Sequence, residues 1–177
     1  MAYGIVQLLD VAANNIDASV KTFISSDDIE NGSVFTMGAV VSGQEDEYAA
    51  VKPASGTLAT QHYMAASPTR VVTTINSQKF YDMVKDPRAF INVAGEPIDG
   101  VMLKIGDVVR LSADCLTGSK DTNTYVVATN ADYKLNWAAA AISGLSLKLL
   151  RTTYVSVGGG FGTQRVVAYD FMVEAVA

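Results

Sequence analysis

Pro97-Ile98-Asp99-Gly100-Val101-Met102-Leu103-Lys104-Ile105-Gly106-Asp107-Val108-Val109-Arg110-Leu111 is the stretch on which the fold reading turns. Two glycines bracket a short apolar segment. The second stands in a Gly-Asp turn that launches a β-branched run, the chemistry of an antiparallel hairpin or corner. An echo lies earlier, in Asn31-Gly32-Ser33-Val34-Phe35-Thr36-Met37-Gly38-Ala39-Val40-Val41. Both copies place Gly six residues before Gly and then a Val pair after one intervening residue. Each is trailed by a strand-like piece centred on a tyrosine, Tyr48-Ala49-Ala50-Val51 and Tyr125-Val126-Val127-Ala128. The pattern reads as a pseudo-repeat of a β unit over 29–64 and 97–135. It lies within one β-rich domain, 14–177, preceded by residues 1–13 as an N-terminal arm or first strand. The expected fold is mainly β: an antiparallel barrel or sandwich with one short helix and an extended N-terminal arm.

Composition narrows the function classes. A chain of 177 residues, 49% apolar and 18% charged, can bury a core without disulfides or metals, and its surface should be bland, suited to packing against neighbours. A formal net charge of −5, with 13 basic residues spread thinly, argues against a nucleic-acid partner, whose phosphates call for clustered Lys and Arg. The single Cys115 forms no internal disulfide, and no Cys/His spacing suits zinc. The uncharged start lacks the basic region of a signal peptide, and no run of about 18 apolar residues follows, so no membrane partner is expected.

Along the chain, strands are expected at 21–25, 35–41, 48–51, 71–75 and 124–129. The acidic turn Ser26-Asp27-Asp28-Ile29-Glu30-Asn31-Gly32 fails as a calcium loop, because Ile29 occupies a ligand position and Gly38 stands where a bidentate Glu belongs. Gln44-Glu45-Asp46-Glu47 reads as a charged hairpin tip. Ser77 reads as the N-cap of the one helix, with Phe80, Met83 and Val84 on a face and Asp86-Pro87 ending it. Trp137-Ala138-Ala139-Ala140-Ala141 reads as one or two helical turns or a flat apolar surface, with burial in the core preferred. The clearest alternation closes the chain: Leu145, Leu147 and Leu149 in one strand, Val167, Tyr169, Phe171 and Val173 in the last. Between them, Gly158-Gly159-Gly160-Phe161-Gly162 has neither the Gly-Lys-Ser/Thr ending nor the following helix of a phosphate loop, and reads as a flexible hairpin tip.

Catalytic chemistry is not legible. One His and one Cys leave little material for a nucleophile and base, and no cofactor or metal fingerprint is present, so no catalytic residue, cofactor or metal is assigned. His62 is expected to be structural. The carboxylate pairs Asp107/Asp114 and Asp170/Glu174 are explained by turn and strand-edge solvation.

The compact acidic β-domain, the Ile98-Asp99-Gly100 to Val109 turn-and-strand, the Gly38-Ala39-Val40-Val41 echo and the terminal Gly-tipped hairpin ending Val167-Ala168-Tyr169-Asp170-Phe171-Met172-Val173-Glu174 together resemble the tailed-phage virion proteins, in particular the capsid decoration (cement or head-stabilising) proteins. The resemblance implies a non-enzymatic protein made in the host cytoplasm and bound in many copies to the capsid exterior of the virion. Its partners would be the major capsid protein and neighbouring copies of itself, with trimerisation about a local threefold. Two grips are expected: the arm, through Tyr3, Ile5, Val6 and Leu8, and the tip, through Gly158, Gly159, Gly160 and Phe161. The alternatives are another virion structural protein, a tail tube or head–tail connector, and a carbohydrate-binding module using Tyr154, Tyr169 and Phe171.

Overall fold

The computed structural model describes residues 2–12, 19–55, 60–75, 78–83, 86–158 and 163–176; for 70–75 and 79–83 it describes the backbone alone. In chain order the strands are β1 (Val6–Asp10), β2 (Val20–Ile24), β3 (Val34–Val40), β4 (Glu47–Val51), β5 (His62–Ala65), β6 (Arg70–Ile75), β7 (Gln78–Met83), β8 (Pro97–Met102), β9 (Val108–Ser112), β10 (Leu116–Thr117), β11 (Tyr125–Val127), β12 (Leu135–Ala138), β13 (Ser146–Val157) and β14 (Gln164–Ala175). The protein is mainly β, as its alternating patterns predict.

Five strands close into a barrel in the order β2-β4-β3-β5-β8. Its pairings are antiparallel except β2 with β4, which run parallel. The inside is aromatic: Phe23, Phe35 and Tyr63 cluster with Ile98, Ala50 and Ala65, and Phe23 meets Phe35 edge-on at 4.8 Å between centroids. Successive strand residues point to opposite faces. The residues beside these therefore look outward, and Val34, Met64 and Val101 line up on the barrel's outer wall.

That wall packs on a seven-stranded sheet of order β1-β9-β14-β13-β11-β12-β10. Val34, Met64, Val101 and Leu103 share one buried cluster with Val109, Leu111, Val126, Leu135, Leu147, Phe171 and Val173. The quoted stretch 97–111 is the crossover between the two layers, since β8 belongs to the barrel and β9 to the sheet. Its turn is pinned at both ends: Gly106 N–H donates to Val173 O at 2.9 Å, and the buried Asp107 carboxylate accepts from Lys104 N at 2.8 Å and from Ala12 N at 2.9 Å.

Several expectations are corrected. The helix expected after Ser77 is instead strand β7, which pairs antiparallel with β6, Thr73 opposite Phe80 and Val72 opposite Tyr81. Asp86 does not end a helix; its side chain accepts from Arg88 N–H at 3.0 Å and caps a single 3-10 turn at Pro87–Ala89. Ser77 and Val84 lie outside the described residues. Trp137 is in strand β12 and buried, while Ala139, Ala140 and Ala141 are exposed, so that stretch forms neither helical turns nor one flat patch. Of the two alternatives for the N-terminus, arm or first strand, Val6–Asp10 take the second as the edge strand β1.

The two copies of the pseudo-repeat take different places. Gly38 lies within β3 and Gly106 in a turn at φ +96°, whereas Gly32 is the turn residue at φ +87° and Gly100 the strand residue. Gly100 faces the barrel interior, where a Cβ would overlap the Phe23 ring. Gly106 has open space around its missing Cβ and is needed for its left-handed backbone.

Two outcomes follow for stability. Gly100→Ala should cost about 1–3 kcal/mol through overpacking and change the near-ultraviolet circular dichroism of the aromatic cluster. Gly106→Ala should cost about 1–2 kcal/mol through backbone strain and leave that spectrum unchanged. Urea titration of both variants reads the two costs. His62 is buried on β5, and burial pushes its pKa below the ordinary 6.5. The unfolded chain therefore binds the proton first, so stability should fall as pH drops below about 6.5, a limb that His62→Gln should remove from a pH series of urea midpoints.

Candidate interaction surface

The last two strands form the site. β13 and β14 pair along nearly their whole length, from Ser146 opposite Ala175 to Val157 opposite Gln164. Their neighbours are shorter: β9 borders β14 only over Ala168–Met172, and β11 borders β13 only over Ser146–Lys148. Beyond those limits the two strands are a free-standing ribbon leading to the Gly158 tip. Such a ribbon shows both faces. One face is covered, where Ile5 packs with Val155, Val157 and Ala168 in a small buried cluster.

The other face continues the sheet's inner side past the edge of the core. Buried Trp137 meets Tyr169 edge-on at 5.2 Å. Lys120 Nζ then lies 5.4 Å above the Tyr169 ring and donates to Thr152 at 2.9 Å. Next along the ribbon, Tyr154 stands opposite Val167, 51% and 38% exposed, and the Arg165 guanidinium lies 4.9 Å above the Tyr154 ring. The result is a stripe of interleaved aromatic, aliphatic and cationic groups running from the core toward the tip. A cation over an aromatic face is attracted by the ring quadrupole, which orders these otherwise floppy side chains. Among the described residues neither Lys120 nor Arg165 has a carboxylate partner.

The sheet's opposite face carries a polar ladder across four strands. Asp170, 2% exposed, accepts from Arg110 Nε at 2.6 Å and Nη2 at 3.1 Å, and from Arg151 Nε at 2.6 Å. Arg110 also donates to Gln7 at 3.3 Å. The hydrogen bond from Arg110, then that from Arg151, holds the Asp170 carboxyl below its ordinary 3.8 against the opposing effect of burial.

The N-terminal contact residues are placed differently from expectation. Ile5 is buried inside the molecule, Val6 and Leu8 turn inward onto the main core, and the Tyr3 backbone N–H donates to Arg88 O at 2.9 Å. The outward residues of β1 are Gln7 and Leu9. Of the tip residues, Gly158 is exposed at the end of β13, while Gly159, Gly160 and Phe161 lie outside the described residues. The stripe residues Lys120, Arg165 and Val167 were missed by sequence reasoning. The signal for Arg165 and Val167 was the alternation Arg165, Val167, Tyr169, which stands opposite Ser156, Tyr154 and Thr152.

The groups that could have carried chemistry have structural tasks. Cys115 is buried against the carbonyls of Ile5 (3.4 Å) and Asn31 (3.5 Å), and burial pushes its thiol up to about 12. Asp107 caps the crossover turn, and Glu174 pairs with Lys148 at 3.3 Å. Among the described residues no group of three or more His, Cys, Asp or Glu could hold a metal ion. Tyr169 and Phe171 pack with Trp137, which leaves Tyr154 as the exposed member of the sugar-platform trio. No protein-family model, curated protein or solved structure matches this chain.

Asp170→Asn removes the charge that both guanidiniums share and should lower stability by about 1.5–3 kcal/mol at neutral pH. A carboxylate with a depressed folded pKa contributes stability above its unfolded pKa and loses it as pH falls below. The wild type should therefore lose that increment below about pH 4, and the variant should show no such limb in urea midpoints measured from pH 7 to 2.

Proposed function

We propose that this chain is a non-enzymatic virion structural protein that binds the outside of a phage capsid and stabilises contacts between major capsid subunits. The observation that carries the reading is the exposed Tyr154–Val167–Arg165 stripe on a ribbon reaching past its own core, a surface for contact rather than a cleft for substrate. The resemblance of the turn-and-strand stretches to decoration proteins supplies the partner. An outer protein that touches several capsid subunits at once restrains each against leaving, because the second contact forms at high effective concentration. The edge strand β1 offers a further mode of grip, strand addition through its backbone rather than insertion of Tyr3, Ile5, Val6 or Leu8.

A second reading, a tail-tube or head–tail connector protein, is favoured by the β6–β7 hairpin, which forms a two-stranded sheet separate from the other two. Such a hairpin could complete its pairing on a neighbouring subunit in a ring.

The two readings separate in one experiment. The purified protein is mixed with expanded tailed-phage capsids stripped of outer proteins, and the complex is pelleted and weighed. Saturation at a fixed ratio to the major capsid protein, with weaker binding by Tyr154→Ala/Arg165→Ala, is the expected result. No binding, with rings or tubes in the free protein, would overturn the capsid reading in favour of the second.

A further inference from the structure

Two exposed surfaces of this protein carry opposite charges that no ion pair within the described residues neutralises. The distal ribbon, Thr152 to Val157 and Gln164 to Ala168, contains Arg165 and no acidic residue, and Lys120 joins it on the same face. At the β3–β4 connection in the barrel, Glu45 and Asp46 are exposed, and among the described residues neither has a cationic partner. This tip is a shaped element. Gln44 N–H donates to Val41 O at 3.1 Å and Val41 N–H to Glu47 O at 2.9 Å, so the two carboxylates project from a closed turn. A chain of net charge −5 thus carries the exposed Arg165 over Tyr154 and the half-buried Lys120 over Tyr169 on one face, and two carboxylates on a hairpin tip, with no ion pair between them.

We propose that the ribbon stripe of one copy docks on the acidic β3–β4 tip of a second copy of this chain. Arg165 and Lys120 receive Glu45 and Asp46, and Tyr154 with Val167 supplies the apolar contact between them. Both cations are already held over aromatic rings, so little side-chain freedom is lost on pairing. The two patches differ, so the contact is head-to-tail: each copy that docks leaves one stripe and one tip free. Such a contact closes into a ring or continues as a filament, and it does not stop at a twofold dimer. Charge supplies much of the attraction, and mobile ions at 0.15 M screen it over about 8 Å. The inference rests on the contact surface of the proposed function and assigns that stripe to a neighbouring copy. Loss of Tyr154 and Arg165 then weakens capsid binding by removing the lateral contact through which bound copies hold one another.

Light scattering and sedimentation velocity on the full chain test it. The wild type at low salt should form concentration-dependent species larger than a dimer, and raising NaCl from 50 to 500 mM should weaken association by at least about tenfold. The stripe variant Lys120→Glu/Arg165→Glu and the tip variant Glu45→Lys/Asp46→Lys should each be monomeric alone. Mixed one to one, they should assemble again beyond a dimer, because each intact stripe then meets an intact tip and each reversed stripe meets a reversed tip. A chain carrying all four reversals should assemble again, which also shows that the substituted protein folds. A wild type that stays monomeric, association unchanged by salt or by the reversals, or a four-reversal chain that stays monomeric would overturn the proposal. Saturable capsid binding by a monomeric wild type would overturn this contact and leave the capsid reading standing, whereas charge-dependent assembly without capsid binding would do the reverse.

Discussion

The structure depends on one packing contact, the outer wall of the barrel against the inner face of the seven-stranded sheet. Val34, Met64 and Val101 are the barrel's contribution, and each neighbours in sequence or register a residue that fills the barrel interior. Barrel strands are therefore apolar on two faces at this wall. A shift of one residue in β3 would exchange Phe35 for Val34, putting a ring into the interlayer contact and a cavity into the barrel, so the two layers fix each other's register. The 97–111 crossover makes this coupling covalent, and its Gly106 turn is hydrogen-bonded to β14, the strand that carries both the core and the exposed stripe. Distortion at the turn would reach the ribbon through that strand.

The legible parts of the fold were those in which one periodicity had no competitor. Leu147 and Leu149 in β13, and Val167, Tyr169, Phe171 and Val173 in β14, alternate over enough residues that no helical pattern fits. The crossover was visible because Gly106-Asp107 between apolar runs is turn chemistry whatever lies around it. The segment after Ser77 is the opposite case. Phe80 and Met83 are three apart, which suits a helix, and a Ser before them resembles a cap; six residues cannot separate the two periods. What decides for strand β7 is its antiparallel pairing with β6, which has no trace in the local pattern of 78–83. The pseudo-repeat failed for a related reason. Equal glycine spacings conceal different needs, a left-handed backbone at Gly32 and Gly106 and the absence of a side chain at Gly100.

The same limit explains the N-terminal residues. An apolar start with no charge suits an arm or an edge strand equally, and the choice rests on whether a vacant edge exists elsewhere. The β9 edge is that place, and once Val6 and Leu8 face the core, alternation sends Gln7 outward to Arg110. Ile5, on the Gln7 side, would then be exposed were it not for the distal ribbon, whose Val155 and Val157 it covers. Strand β1 and the ribbon thus depend on each other, although more than a hundred residues separate them in sequence.

The exposed stripe follows from a mismatch of lengths. Strands β13 and β14 run for 12 residues each, while β9 has five and β11 three. A sheet whose central strands outrun their neighbours must end in a two-stranded ribbon, and an isolated ribbon is marginal in water unless one face is covered. Ile5 does this on one side. On the other, the alternation that makes Tyr169 a core residue necessarily puts Val167 and Arg165 on the same face, beyond the reach of the barrel. Cation-over-ring contacts stabilise that face without closing it, and they leave Arg165, Tyr154 and Val167 exposed. The ribbon is therefore held rigid by its own core while its outer face remains unmatched, the physical condition under which a surface gains more from a partner than from water.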